Sequence, residues 1–130
     1  MNMTDRPQVV SEHLRGRRIL VLEDELLISM LLEDMLADLG CVVVGPAGDI
    51  AQAEILALNE DIDAAILDVH VGGRTSHSVA ERLQQRNIPI LVASGLDDAS
   101  SLPGATELLQ KPFGTAELRT ALEAIFARSP

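Results

Sequence analysis

The sequence predicts an α/β domain, a five-stranded parallel sheet wound with helices on both faces. Two patterns predict it. Short apolar runs alternate with amphipathic stretches five times along the chain, the signature of repeated strand-helix units. The runs are also continuously apolar rather than alternating, as expected of strands covered on both faces. A length of 130 residues suits one domain with a real core, and 47% hydrophobic residues argue for a folded globule.

The elements follow in order. "RRILVLED" (residues 17–24) is a strand that ends on acids. "ELLISMLLEDMLADLG" is a helix stopped by Gly40, with Leu27, Leu31, Met35 and Leu39 recurring every fourth residue and Ile28, Leu32 and Leu36 flanking them. "CVVVGPAG" is a second strand, closed by a Gly-Pro breaker. Asp49 is placed to cap the helix "IAQAEILALNE". "DAAILDV" is the third strand, and Thr75 or Ser76 starts the helix that ends near Arg86. "IPILVAS" and "ATELLQ" are the fourth and fifth strands, and "GTAELRTALEAIFARS" closes the chain as a helix with Leu118, Leu122, Ile125 and Phe126 on one face. Between Ser94 and Ala105 the text "SGLDDASSLPGA" predicts a short or irregular fourth helix. Right-handed crossovers make a flavodoxin-like strand order, 2-1-3-4-5, the natural topology. Residues 1–15 are expected to form a flexible tail and residues 16–130 the domain.

Charge and composition exclude several functions. Twenty acids against ten bases give a net charge of −10, which repels phosphate backbones; with no Trp or Tyr to stack on bases, nucleic-acid binding is not expected. No apolar run is long enough to cross a bilayer, and the first fifteen residues lack a signal-peptide centre, so a soluble cytoplasmic protein is expected. The single cysteine, Cys41, opens an apolar stretch and reads as core.

In a doubly wound sheet, ligands bind outside the carboxyl ends of the strands. There the first strand presents Glu23, Asp24 and Glu25, the third Asp68, the fourth Ser94, and the fifth runs into Lys111-Pro112. Carboxylates on neighbouring strands must be protonated or share a cation. An all-oxygen, multiply charged set suits Mg²⁺. Cation, ammonium and hydroxyl together can hold a phosphoryl group. Taken singly, Asp68 could be a solvated strand-end residue, Asp24 or Glu25 a helix-start acid favoured by the dipole, Lys111 a surface charge and Ser94 the start of a turn. His70 and His77 could suggest a metal pair, but no matching ligand spacing accompanies them. Gly72 and Gly73 read as a mobile loop, since "VGGRTS" is not a phosphate-binding pattern.

Four motifs, "VLEDE", "ILDV", "VASG" and "QKPF", stand in order at the ends of strands one, three, four and five. Together they resemble the receiver domain of two-component response regulators, from Arg17 onward. The resemblance implies the CheY-like form of the flavodoxin-like fold. It also implies roles: Asp68 is the phosphoacceptor, Asp24 and Glu23 hold Mg²⁺ with Asp68 and the backbone carbonyl of His70, Lys111 pairs with Asp68, and Ser94 reaches for the phosphoryl group. A cis Lys111-Pro112 bond is implied as well. The carboxylate nucleophile is expected to be ionised at neutral pH without a general base.

The implied partners are a sensor histidine kinase or phosphotransfer protein and a downstream protein target, with the chain a monomer or weak homodimer. No enzyme activity is implied beyond slow self-dephosphorylation. Leu108 stands where the family often has a switching Tyr or Phe; with the short fourth helix this is similar to single-domain receivers with an F-A-T-G-type fourth strand. Two readings remain, a messenger for a partner and a phosphate sink. The alternatives are an aspartyl-nucleophile phosphatase-like hydrolase, a flavin-binding module and a non-phosphorylated protein-binding module. The first lacks the D-x-D after the first strand, and the second would need a phosphate loop where "EDELL" stands.

Overall fold

The computed structural model describes residues 12–95 and 102–127. Five parallel strands form the sheet: β1 (Arg18–Leu22), β2 (Val42–Ala47), β3 (Ala64–Asp68), β6 (Ile90–Ser94) and β7 (Ala105–Gln110). Their order is β2-β1-β3-β6-β7, the 2-1-3-4-5 order expected. Four helices, α1 (Leu26–Asp38), α2 (Ile50–Asn59), α3 (His77–Gln85) and α4 (Thr115–Ala127), cover it among the described residues. A small hairpin, β4 (His70–Val71) and β5 (Arg74–Thr75), stands between β3 and α3. The expected short fourth helix falls on a stretch whose residues 96–101 lie outside the described residues, as do residues 1–11 of the expected tail. Leu14 is fully buried and joins the core.

Successive side chains of a strand point to opposite faces, so a continuously apolar strand feeds two cores. Leu20 and Leu22 of β1, Ala65 and Leu67 of β3, and Ile90 and Val92 of β6 pack with α2 and α3. Ile19 and Val21, Ala64 and Ile66, and Leu91 and Ala93 pack with α1 and α4. Each such side chain larger than alanine contributes about 1.5–3 kcal/mol by leaving water. Cys41 lies in the second core, where burial pushes its thiol up to about 11, against a smaller opposing pull from Arg17. It is therefore an inert thiol at neutral pH.

Two local expectations are corrected. In α1 the core row is Leu32 and Leu36, continued by Leu39, with Ile28 and Met35 at its margin; Leu27 and Leu31 face solvent. The first half of the helix is apolar on almost every side, so periodicity alone could not choose the buried face. In β2 the Gly-Pro pair does not close the strand. It sits inside it as an irregularity opposite the Leu20–Leu22 stretch of β1, with Gly45 at φ +101° and a cis Gly45-Pro46 bond. Asp49 caps α2 as expected, its Oδ1 accepting the Gln52 N–H at 2.8 Å.

Candidate functional site

Register alone brings two acids together. β1 and β3 pair Leu22 with Leu67, so the next residues, Glu23 and Asp68, emerge side by side at the carboxyl edge. Asp24 follows on the turn into α1. β6 pairs with β3 through Ala93 and Asp68, and β7 pairs Gln110 with Ser94. Lys111 is the next residue, with its N–H donating to the Ser94 carbonyl at 2.8 Å. Strands are spaced by about 4.8 Å, so a side chain two strands from Asp68 must be long to reach it. Lys111 is long enough. Its Nζ lies 2.7 Å from Asp68 Oδ1 and 3.1 Å from Glu23 Oε1. The Lys111-Pro112 bond is cis, as the resemblance implied.

The site is a half-closed cup. Glu23, Asp68 and Ser94 are buried while Asp24 is exposed at the rim. One carboxylate oxygen from each of Glu23, Asp24 and Asp68 lies within 4.8 Å of the others, a grouping able to hold a metal ion. Three carboxylates with one open side suit a hard divalent cation that keeps some of its waters. Glu23 Oε2 accepts the Glu25 N–H at 3.1 Å, which fixes the direction of the carboxylate. Glu25 occupies the start of α1 without a side-chain cap bond.

Burial pushes the Asp68 carboxyl up to about 7; its bond to Lys111 opposes the rise and the Glu23 charge adds to it. The rise follows from how dry the strand end is, which a sequence cannot show. Lys111, 2.7 Å away, favours the expected ionised nucleophile against the pull of burial. Burial alone would lower the Lys111 ammonium, but Asp68 and Glu23 outweigh it and raise it above its usual value.

The structure brings together Glu23, Asp24, Asp68 and Lys111, and sets Ser94 at the end of the strand beside Asp68. His70 stands two residues past Asp68 in β4 with an exposed side chain. His77 opens α3, its Nδ1 3.1 Å from the Thr75 hydroxyl oxygen. Neither histidine joins a group of potential metal ligands among the described residues. The glycine pair is not a loose loop: Gly72 and Gly73, at φ +60° and +79°, make the two-residue turn of the hairpin. A Gly-Gly pair between short extended runs is a hairpin signal that the sequence did contain.

Two partners of the site had no such signal. The Gly72 N–H donates to Asp24 Oδ2 at 3.1 Å. Ser76, fully buried at the start of α3, donates its hydroxyl to the Asp68 carbonyl instead of capping the helix. Leu108, on the edge strand β7, is 64% exposed. Beside the cup, an apolar hollow of about 150 Å³ between α1 and the Lys111–Phe113 turn is walled by Ile28, Leu32 and Met35.

Comparison with known proteins gives one consistent answer. Residues 19–123 match the profile of the response regulator receiver domain. The chain is 40% identical to SdrG from Sphingomonas melonis Fr1, covering 88% of this chain and 98% of that one, with a TM-score of 0.75. It is 26% identical to the receiver domain of sensor histidine kinase PA1611 from Pseudomonas aeruginosa PAO1, covering 86% of this chain and 98% of that one, with a TM-score of 0.77; that structure holds a magnesium ion in its active-site cleft. Among curated relatives, the transcriptional regulatory protein PdtaR of Mycobacterium tuberculosis is 35% identical over 118 residues, which cover 86% of this chain. The chain spans about half the length of the curated relatives it matches, 58% of PdtaR and 48% of TcrA.

Proposed function

This chain belongs to the response regulator receiver domain family, and from that premise we propose that Asp68 accepts a phosphoryl group from the phosphohistidine of a sensor histidine kinase or phosphotransfer protein. The observation that carries the reading is the meeting of Glu23, Asp24 and Asp68 oxygens within 4.8 Å, with Lys111 Nζ 2.7 Å from Asp68. An Asp68 oxygen forms the new O–P bond as the donor's N–P bond breaks, and the electron pair leaves on the donor imidazole. The carboxylate is the attacking form, and Lys111 already favours it against the pull of burial. A Mg²⁺ ion held by Glu23, Asp24, Asp68 and the His70 carbonyl would neutralise charge on the transferring oxygens. Lys111, already paired with Asp68 and Glu23, then has a phosphoryl oxygen as a third partner, and the Ser94 hydroxyl donates to another phosphoryl oxygen.

The donor's surface must come flush with the rim for its imidazole to reach Asp68. The first turns of α1, directly after Asp24, offer Leu26, Leu27, Met30 and Leu31 to solvent, an apolar shelf suited to a docking protein. We read the downstream role as a phosphate sink in preference to a messenger. Leu108 supports this: an exposed aliphatic side chain on β7 has no ring to swing between a buried and an exposed position. The F-A-T-G-type likeness and a cytoplasmic setting belong to the same proposal.

The test is uptake of phosphoryl label from a small acyl phosphate with Mg²⁺. Wild-type protein should take up label and Asp68→Asn should not; equal labelling of both would remove Asp68 from the role. The half-life of the labelled protein separates sink from messenger, since a long-lived phosphoprotein contradicts the sink.

A further inference from the structure

The hairpin between β3 and α3 is closed at three points. At its base the Ser76 N–H donates to the Val69 carbonyl at 2.9 Å. Also at the base, the Ser76 hydroxyl donates to the Asp68 carbonyl. At its tip the Gly72 N–H donates to Asp24 Oδ2 at 3.1 Å. One end of the excursion therefore grips the backbone of the acid on β3, and the other grips the side chain of the acid that follows β1, 48 positions away in sequence.

Ser76 stands at a helix start, where serine ordinarily turns its hydroxyl to the first free N–H groups. Here it makes no such bond. The fully buried hydroxyl lies nearer the Asp68 carbonyl, with the Val69 carbonyl 3.3 Å away, so it is spent on the backbone at the end of β3 and points to a role there. Asp24 shows the same logic from the other side: it is exposed, and a solvent-facing carboxylate left alone samples several rotamers. An amide on one oxygen narrows that choice and leaves the second oxygen for another partner.

We propose that this hairpin is a positioning strap: Ser76 and the Gly72 amide set the spacing between Asp68 and Asp24 and so pre-form the cup for a divalent cation. The inference rests on the reading of the cup as the Mg²⁺ site. Ser76 and Gly72 are positioning residues, acting through the acids they hold.

The strap makes a demand on Gly72 that space does not. A Cβ at that position meets nothing within 4 Å, yet its φ is +60°. Only the backbone conformation is at stake. Asparagine tolerates this left-handed region, whereas a β-branched residue does not. Gly72→Asn therefore keeps the strap and Gly72→Val breaks it, although both add a side chain to open solvent.

The experiment is calorimetric titration of Mg²⁺ into the full chain, with the unfolding midpoint of each metal-free variant measured alongside. Groups that orient metal ligands typically contribute about 10–100-fold to metal affinity. Gly72→Val and Ser76→Ala should each weaken Mg²⁺ binding by about tenfold, while Gly72→Asn stays within about twofold of wild type. Gly72→Val should also lower its metal-free midpoint, because a β-branched residue is strained at φ +60°; the lowered Mg²⁺ affinity is read on protein that is still folded at the titration temperature. Mg²⁺ affinity unchanged in Gly72→Val, or lowered equally in Gly72→Asn, would overturn the grip at the tip. Unchanged affinity in a folded Ser76→Ala would overturn the grip at the base. Wild-type protein that binds no Mg²⁺ would instead overturn the cup reading itself, and the strap with it.

Discussion

Lys111 Nζ lies 2.7 Å from Asp68 Oδ1 and 3.1 Å from Glu23 Oε1, so one ammonium from the end of β7 is shared by two acids from the ends of β3 and β1. Without it, two carboxylates face each other in a partly dry cup. Lys111→Met should therefore destabilise the protein. Removing one partner of a fully buried ion pair costs about 3–5 kcal/mol. The Lys111 side chain is 21% exposed, which reduces the expected loss to about 1–3 kcal/mol. Urea unfolding without Mg²⁺ measures it, and Mg²⁺ should restore part of the loss.

The raised Asp68 carboxyl gives stability a pH slope. Between its ordinary 3.8 and about 7, the folded protein holds a proton that the unfolded chain has released. Folded stability from this group therefore falls as pH rises through that window. Asp68→Asn has no such proton. Its stability relative to wild type, without metal, should be greater at about pH 8 than at about pH 5, by on the order of 2–4 kcal/mol. Urea midpoints at the two pH values decide it, and a difference that does not change with pH would show that Asp68 titrates normally.

The buried face of α1 gives a matched pair. Leu36 is fully buried and Leu27 is 73% exposed. Leu36→Ala should cost about 2–5 kcal/mol, and Leu27→Ala should stay within about 0.5 kcal/mol. Thermal or chemical unfolding of the two variants measures this directly.

Gly45 is held by both space and conformation. A Cβ there would lie 2.8 Å from the Ala47 nitrogen, at φ +101°. Gly45→Ala should lose about 1–3 kcal/mol of stability, read from the shift in denaturation midpoint. Gly48→Ala is the control, since its Cβ meets nothing and its φ lies outside the positive range.

Much of this is legible in the sequence. Runs such as "RILVL" and "AAILD" are short, aliphatic and bounded by polar residues, which leaves little choice but buried parallel strands. Because those strands end on Glu23-Asp24 and Asp68, the meeting of the acids follows from strand order and register. The less legible features depend on contacts remote in sequence. Which side of α1 is buried was hidden by its apolar excess, and the proline after Gly45 looked like a strand end because its neighbour's positive φ is invisible in sequence. Ser76 looked like a helix cap because its real partner, the Asp68 carbonyl, carries no residue-type signal. The upward push on the Asp68 carboxyl likewise depends on how dry the cup is, which only packing decides.

Everything turns on whether the β3-end carboxylate carries the phosphoryl group. The most direct measurement is borohydride reduction of protein treated with a small acyl phosphate and Mg²⁺, followed by peptide mapping, because reduction converts an aspartyl phosphate to homoserine. The account predicts homoserine at position 68 alone, and none when Mg²⁺ is withheld by chelation. Homoserine at position 24, or a phosphorylated protein with position 68 intact, would contradict it.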